Sequence, residues 1–382
     1  MRERDRIMLI GVGELGGIVL EYLCRIQGIC DLVVVDSNAD WGFRKINSAI
    51  ESASYSGLYP SIKFFPIDLR KVEQTADLLR KIDPTIIYNA TTLQSWWVVN
   101  ELPSEINAKI YRDKCGIGPW AGMHLALTYM LMKAVKLSGI DTHVVNSSYP
   151  DVINPSLGRV GLAPTVGSGN SDLIIPYIRK AASELLSVPM GNIQVDLVAH
   201  HYHCYYWCRY GRGSEVPHYL RVYVGCEDVT EKLGDIKKFL EELPKRCMRP
   251  AGRHGQFVVA SSSVKNIMAI LNNSGELTQA PGPKGLEGGY PVRLSRQGAE
   301  IVLPKNMTLD QARRINLVAQ QYDGVQEIRE NGDVVVTEEA YATFKELMNV
   351  DCKKITLENS YEQAMELKRK FHEFARKHGV NI

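Results

Sequence analysis

The densest group of reactive side chains lies mid-chain, after a predicted strand over residues 193–199. It holds three histidines and two cysteines among aromatic residues: His200, His201, Tyr202, His203, Cys204, Tyr205, Tyr206, Trp207 and Cys208. Histidine titrates near neutral pH, so such a group can take up or release a proton during a reaction. Alternation along an extended strand predicts that His201 and His203 share one side, with His200 on the other. We therefore expect an acid/base site here.

The same segment allows a second interpretation, a metal site. Imidazole nitrogen and thiolate sulfur are ligands that zinc and similar ions prefer. The candidate ligands are His201, His203, Cys204 and Cys208. Their spacing matches no closed structural zinc site, and the aromatic residues among them suit a pocket wall or a buried strand equally well. We predict no metal, and the metal-binding alternative stays open.

A second chemical motif lies near the start of the chain, where an apolar run leads into spaced glycines and then a helical pattern. Gly11 suits a tight turn, Gly13 lets the backbone approach a pyrophosphate, and Gly16 lets helix and strand pack closely. A second apolar run, residues 32–35, ends at Asp36, where a carboxylate can meet the hydroxyls of an adenosine ribose. The motif therefore predicts dinucleotide binding.

The charge at the end of the second strand sets the cofactor preference. Asp36 repels a 2′-phosphate and so favours NAD, whereas Arg44, just beyond that strand, could contact such a phosphate and keeps NADP as an alternative. The residues predicted to contact the cofactor are Gly11, Val12, Gly13, Glu14, Leu15, Gly16, Asp36, Ser37, Asn38, Asn89, Ala90, Thr91 and Asn146.

Length and composition limit the class of protein. At 382 residues the chain is long for one core, which favours two domains. A charged fraction of 23% with a net charge of +2 gives no electrostatic reason to expect a nucleic-acid or membrane partner. No apolar run is long enough to span a bilayer, and the charged start is unlike a signal peptide, so we expect a cytoplasmic protein. The 8 cysteines, scattered and without CxxC spacing, are typical of reduced thiols.

Apolar runs that alternate with helical patterns supply the scaffold for the glycine motif. Over residues 1–150 they predict a dinucleotide-binding domain of the α/β class, a Rossmann-type doubly wound parallel sheet with crossover helices. The predicted strands cover residues 7–12, 32–36, 62–65, 85–89 and 142–146. Helices are predicted over residues 68–82 and 121–138, ending before Pro84 and at Gly139.

Beyond residue 150 the pattern becomes a mixture of strands and helices. We predict a second α+β domain, for substrate binding and oligomerisation, over residues 151–350. It contains a helix over 172–186, strands over 193–199, 219–224 and 299–303, a long loop over 272–291, and a hairpin of 325–329 with 333–337. Residues 351–382 are predicted to hold an amphipathic helix, packed on the body of the protein or at a subunit interface of a homo-oligomer.

The order of these features resembles the lactate and malate dehydrogenase superfamily, which also includes metal-requiring, NAD-dependent glycosidases. In that family an Asn-Pro-x-Asp turn ends the fifth strand, a glycine-containing segment opens a long helix, and a strand then delivers a histidine to the substrate. The corresponding segments are residues 145–151, 167–170 and 193–201. The resemblance implies hydride transfer between NAD and a carbinol or carbonyl. It puts His201 at the family's proton-transfer position, with His203 supporting it or lining the pocket.

Departures from the family pattern bear on the substrate. The positions of the aspartate that orients the histidine and of the arginine that binds the substrate carboxylate hold Ile174 and Tyr177. Asp172 and Arg179 are imperfect substitutes, and a tyrosine cannot replace a bidentate guanidinium. The loop after the fourth strand, residues 91–97, is apolar and aromatic where the family has another arginine. We therefore expect a substrate that is larger or less charged than a simple 2-hydroxy acid.

Several functions remain open beside the leading hypothesis, an NAD-dependent dehydrogenase whose small-molecule substrate binds between the two predicted domains. One is an imine reductase of the opine or saccharopine type, whose first domains contain segments like residues 67–69 and 86–90. Another is a glycosidase-type hydrolase or lyase that uses NAD as a recycled catalyst together with a metal. The third is a non-catalytic NAD(H)-binding sensor.

Overall fold

The computed structural model describes residues 5–111, 114–250 and 252–382. Its central element is a parallel sheet with the strand order β3-β2-β1-β4-β5-β6, the Rossmann-type architecture predicted from the sequence. The strands are β1 (Arg6–Ile10), β2 (Asp31–Asp36), β3 (Ile62–Pro66), β4 (Ile86–Asn89), β5 (His143–Asn146) and β6 (Val166–Gly167). Because β6 pairs with β5, the sheet extends beyond the boundary predicted at residue 150.

Helices cover both faces of this sheet. They are α1 (Glu14–Cys24), α2 (Ala39–Ser54), α3 (Val72–Ile82), α4 (Ser104–Ile110), α5 (Ala121–Ser138) and α6 (Pro150–Arg159). Met8 and Ile10 of β1 pack in the core with α3 and α5, whereas Ile7 and Leu9 pack on the opposite side with α1 and α2. Burial on both faces explains why the inner strands β1, β2 and β4 contain continuous apolar runs with no polar alternation.

The rest of the chain is the predicted α+β mixture, with antiparallel sheets. Its strands are β7 (Ile193–Val198), β8 (Tyr219–Val224), β9 (Glu227–Asp228), β10 (Glu276–Pro281), β11 (Gly289–Ser295), β12 (Gly298–Ile301), β13 (Val325–Ile328), β14 (Val334–Val336) and β15 (Lys354–Ile355). Its helices are α7 (Ile174–Leu186), α8 (His201–Tyr210), α9 (Ile236–Glu241), α10 (Leu243–Cys247), α11 (Gln256–Leu271), α12 (Leu309–Tyr322), α13 (Glu338–Met348) and α14 (Ser360–Lys377). The hairpin predicted at Asn331-Gly332 is confirmed, since β13 and β14 pair antiparallel. Among the helices of the described residues, none is both long and apolar enough to cross a membrane.

Two predicted elements are wrong. Residues 272–291, predicted as a long loop, contain β10 and the start of β11, and their positive-φ glycines Gly282, Gly285 and Gly288 cluster in the short connection. The segment after β7 forms helix α8 and does not continue the strand, because His200 acts as the helix N-cap and accepts a hydrogen bond from the backbone of Tyr202. The strand alternation predicted for the histidines therefore does not apply.

The C-terminal helix α14 packs on α5, one of the two placements predicted for it. Its apolar stripe is buried, and the ring of Phe371 meets that of Trp120 edge-on with the centroids 4.9 Å apart. Lys368 of the same helix donates a hydrogen bond of 2.9 Å to the carbonyl of Leu93, in the loop after β4. The helix is thus part of the core and supports a loop at the carboxyl edge of the sheet.

We predict that Phe371→Ala lowers the free energy of unfolding by about 3 to 5 kcal/mol, because the phenyl ring is fully buried and its loss leaves a cavity. Met365→Ala on the exposed side of the same helix is the control, with an expected change of about 0.5 kcal/mol or less. Urea denaturation of both variants measures the difference. Equal losses would show that α14 is not held by its buried face.

Candidate active site

A cavity of about 820 Å³ lies at the carboxyl ends of the parallel strands. Open α/β sheets bind ligands at this edge, and the volume is that of a small-molecule site. Its wall includes Gly13 before α1, Asp36 at the end of β2, Tyr149 after β5 and His201 at the start of α8. The fold thus brings the glycine motif and the histidine segment, nearly 200 residues apart in the sequence, into one space.

The glycine turn has the geometry that a dinucleotide requires. Gly11 has a φ of +84°, and a Cβ at Gly16 would lie 1.8 Å from the carbonyl oxygen of Gly11, so both positions need glycine. A Cβ at Gly13 would meet nothing within 4 Å, because the backbone there faces the open cavity at the start of α1. The carboxylate of Asp36 accepts backbone hydrogen bonds of 2.9 Å from Val12 and from Asn38, which fix it at the cavity wall. These residues fit a nucleotide with its phosphates at the helix N-terminus.

The structure separates the predicted cofactor contacts into two groups. Those that line the cavity are Gly11, Gly13, Glu14, Leu15, Asp36, Ser37, Ala90 and Thr91. Those that do not line it are Val12, Gly16, Asn38, Asn89 and Asn146. Asn89 and Asn146 are buried below the loops, with the Asn89 amide donating to the Asn146 side-chain oxygen at 3.0 Å and the Asn146 amide donating to Asn154 at 2.8 Å. Their contacts hold the strand ends together beneath the cavity.

His201 reaches the cavity and is paired with a buried carboxylate. Its Nδ1 lies 2.8 Å from Oδ2 of Asp323, the residue that follows α12, and its backbone N–H donates to Asp151 at 2.9 Å. The hydroxyl of Tyr149 donates to the same Asp323 oxygen at 2.8 Å, from a residue whose φ of +44° is unusual for a side chain of this size. With Nδ1 engaged, Nε2 is the ring nitrogen left for a ligand.

The pairing of His201 with Asp323 determines the charge on both groups. Burial alone would lower the pKa of His201, but the charge and hydrogen bond of Asp323, together with the charge of Asp151, raise it. Burial likewise opposes ionisation of Asp323, yet the neighbouring His201 holds the pKa of that carboxyl below its usual range. For Tyr149, burial and then the Asp323 charge raise the pKa, so its hydroxyl stays protonated. The arrangement is that of an imidazole base oriented by an ionised aspartate.

Sequence reasoning missed Asp323, which lies 122 residues after His201. The substitute considered from the sequence, Asp172, instead accepts hydrogen bonds from Lys265 at 2.7 Å and from Ser262 at 2.5 Å. Neither Asp172 nor Arg179 lines the cavity. In the sequence, Asp323 and Gly324 follow the segment that forms α12, and an Asp-Gly pair is common at such a helix end. Nothing in the sequence therefore indicates that Asp323 pairs with a histidine.

His203 does not share the cavity with His201, so the prediction that both face one side is wrong. The His203 ring is buried, with Nε2 3.4 Å from the carbonyl oxygen of Val216, and burial lowers its pKa well below the usual value. The residues of α8 that line the cavity follow helical spacing over most of its length; they are His201, Cys204, Tyr205, Cys208, Arg209 and Tyr210. Arg209 was not predicted as a site residue. If the segment had been predicted as a helix, Arg209 would have been expected on the same side as His201.

The metal set considered from the sequence is not assembled. The His203 ring contacts the carbonyl oxygen of Val216, whereas Cys204 and Cys208 line the cavity. Across the described ranges, no three His, Cys, Asp or Glu side chains are grouped so that they could hold a metal ion.

Solved structures with a similar fold include lactate and malate dehydrogenases. Lactate dehydrogenase from Eimeria maxima with NADH and oxamate superposes with a TM-score of 0.58 at 13% identity, over 84% of this chain and 92% of that one. Malate dehydrogenase from Picrophilus torridus gives 0.57 at 16% identity, over 84% and 96% of the two chains. Malate dehydrogenase from Plasmodium falciparum gives 0.53 at 15% identity, over 95% and 99%.

No protein-family model and no curated protein sequence matches this chain. The protein therefore has the fold of the lactate and malate dehydrogenases, with a sequence far from theirs.

We predict that Asp323→Asn lowers the pKa of His201. Burial disfavours the charged imidazole, and after the substitution the main negative charge that favours it is the weaker one of Asp151. NMR titration of the His201 ring protons measures the change. Asp310→Asn, an exposed change in the first turn of α12, is the control and should leave that pKa unaltered. An unchanged pKa in Asp323→Asn would contradict the pairing.

Proposed function

We propose that the protein is an NAD-dependent dehydrogenase that transfers a hydride between nicotinamide and a carbinol or carbonyl. The observation that carries this proposal is the His201–Asp323 pair in the same cavity as the glycine turn and Asp36. The fold adds support, since the similar lactate dehydrogenase structures include one with NADH and oxamate and one with lactic acid and nicotinamide adenine dinucleotide.

The cofactor would be held by the glycine turn, the N-terminus of α1 and the Asp36 carboxylate. When bound, NAD supplies the acceptor for the hydride of a carbinol, and NADH returns it to a carbonyl. Asp36 favours NAD over NADP by its charge. Arg44 is bound to Asp40 on the surface and does not line the cavity, which weakens the case for NADP. Arg70, which does line the cavity, is already paired with a neighbouring carboxylate.

The proton of the reaction is assigned to His201. In oxidation, its Nε2 accepts the proton of the substrate hydroxyl, and in reduction the imidazolium returns it to the carbonyl oxygen. Asp323 fixes the tautomer and stabilises the imidazolium, while Tyr149 holds the carboxylate in place through the same oxygen. The aromatic side chains of Trp96, Tyr111 and Tyr205 in the cavity wall limit access of water.

Two domains are part of this proposal, with a changed boundary. We take the first, dinucleotide-binding domain to run through β6, because that strand belongs to the parallel sheet. The second contains α7 to α13 and supplies His201 and Asp323. The cytoplasmic location and the homo-oligomeric state stay predictions from the sequence.

We predict that Gly13→Val folds normally but binds NAD too weakly for calorimetry to detect, because the side chain would fill the space that faces the pyrophosphate. Gly191→Val is a matched control, since a Cβ at Gly191 also meets nothing within 4 Å and the residue lies outside the cavity. Its affinity for NAD should equal that of the unmodified protein. Normal binding by Gly13→Val would rule out this turn as the pyrophosphate site.

We predict that His201→Asn slows NADH formation by roughly a hundredfold to ten-thousandfold, the usual contribution of a general base, with little change in NAD affinity. The assay is NADH absorbance with the most active carbinol from a screen of alcohols and hydroxy acids. His254→Asn, an exposed change outside the cavity, should leave the rate unaltered. A His201→Asn variant with full activity would remove the acid/base role from this residue.

A further inference from the structure

One buried histidine in the cavity wall has no hydrogen-bond partner. His124 of α5 is 6% exposed and lines the cavity, and neither of its ring nitrogens is bonded within the described part of the chain. Buried polar atoms in folded proteins are nearly always hydrogen-bonded, and an exception needs an explanation. For a residue in a cavity wall, a ligand supplies one.

His124 is an uncharged hydrogen-bonding group at neutral pH. Burial, together with the charge of His201, lowers the pKa of His124 to about 4. A neutral imidazole offers one N–H donor and one nitrogen acceptor. The His124 ring centroid lies 6.1 Å from that of Tyr149, whose ring lies 5.3 Å from that of His201. One aromatic side chain therefore separates His124 from the acid/base residue.

Within the described ranges, Arg209, near the end of α8, is another group in this wall without a polar partner. Its guanidinium carbon lies 5.0 Å from the ring centroid of Trp96 and 4.7 Å from that of Tyr205. The Arg209 side chain is half-buried and stacks on both rings. Among the described residues, no carboxylate forms an ion pair with it. Stacking fixes the plane of a guanidinium and leaves its N–H edges for an anion.

The positions along α8 indicate where such an anion would lie. His201 begins the helix, and the guanidinium of Arg209 stacks on Tyr205, which lies one helical turn further on, about 6 Å along the axis. Both residues line the cavity, and the positive charge of Arg209 lowers the pKa of His201. An anion at Arg209 is therefore several bonds from a carbon that reacts at His201. In a 2-hydroxy acid, by contrast, the carboxylate is bonded directly to the reacting carbon.

We propose that Arg209 and His124 form a substrate subsite for hydroxy or oxo acids whose carboxylate is separated by several bonds from the reacting carbon. Arg209 binds the carboxylate, and His124 forms a hydrogen bond with the bound acid close to the reacting carbon. The aromatic side chains of Trp96 and Tyr205 contact the intervening carbon chain. This assignment rests on the proposed dehydrogenase function, whose acid/base residue defines the reacting carbon.

The test compares acids of increasing length with their neutral esters. The probes are lactate, 3-hydroxybutanoate, 4-hydroxypentanoate and 5-hydroxyhexanoate, each with its methyl ester. Calorimetry measures their binding to the full chain, with and without saturating NADH. We expect a longer acid to bind more tightly than lactate. We also expect it to bind at least about tenfold more tightly than its own ester, as is usual for a hydrogen bond to a charged group.

Variants of Arg209 and His124 test whether these residues cause the preference for acid over ester. Arg209→Met should bring the ratio of acid to ester affinity close to one. Arg212→Met is the control, because Arg212 belongs to the same region but does not itself line the cavity, and it should keep the ratio. Its guanidinium stacks on Tyr206 and on Tyr210 of the cavity wall. His124→Phe should weaken acid and ester alike, and His124→Asn should restore part of the binding. Circular dichroism and thermal unfolding confirm that each variant is folded.

The outcomes distinguish the subsite from the dehydrogenase proposal. Failure of the unmodified protein to bind NADH contradicts the proposed function, while the acid and ester affinities of the cofactor-free protein still test the subsite. The subsite is wrong if no acid binds better than its ester, or if Arg209→Met keeps the preference. Equal loss in Arg212→Met would also refute it, because general surface charge would then be sufficient.

Discussion

The hydrogen bond between His201 and Asp323 is the contact on which the rest of the site depends. A fully buried carboxylate needs a charged or hydrogen-bonding partner, and Asp323 has His201 and Tyr149. Its backbone is fixed as well, since its carbonyl oxygen accepts a 2.9 Å hydrogen bond from Gly118, just before α5. A Cβ at Gly118 would lie 2.4 Å from the carbonyl oxygen of Gly324. The segment that carries Asp323 is therefore packed tightly against the turn before α5.

The glycine turn and Asp36 were predictable from the sequence because their signals are local. A strand, three glycines, a helix and a second strand ending in Asp36 lie within residues 6–36, and each has a fixed backbone requirement. Asn89 and Asn146 were assigned to the cofactor because they end strands. The sequence does not indicate that their amides bond each other beneath the surface.

The histidine segment shows why the surroundings of His201 could not be predicted in the same way. Aromatic and apolar residues favour strands, and His200 is not among the residues that usually cap helices, so the start of α8 had no strong signal. Once the helix is known, its period of 3.6 residues puts His201 and Arg209 on one side, about 80° apart around the axis. Asp323 lies on an element far along the chain, and only tertiary packing brings it to His201. The chain thus has the fold of the lactate and malate dehydrogenases, while the side chains around His201 come from elements far apart in the sequence.

The contact of α14 with the loop after β4 has a consequence for dynamics. Lys368 holds the carbonyl of Leu93, and Tyr361, at the start of the same helix, lines the cavity and accepts a hydrogen bond from Arg70 at 3.1 Å. A loop fixed in this way does not swing as an independent segment, because its displacement breaks contacts with a helix whose apolar face is buried. Opening of this side is therefore a local unfolding event, and its frequency is set by the stability of α14 on the protein body.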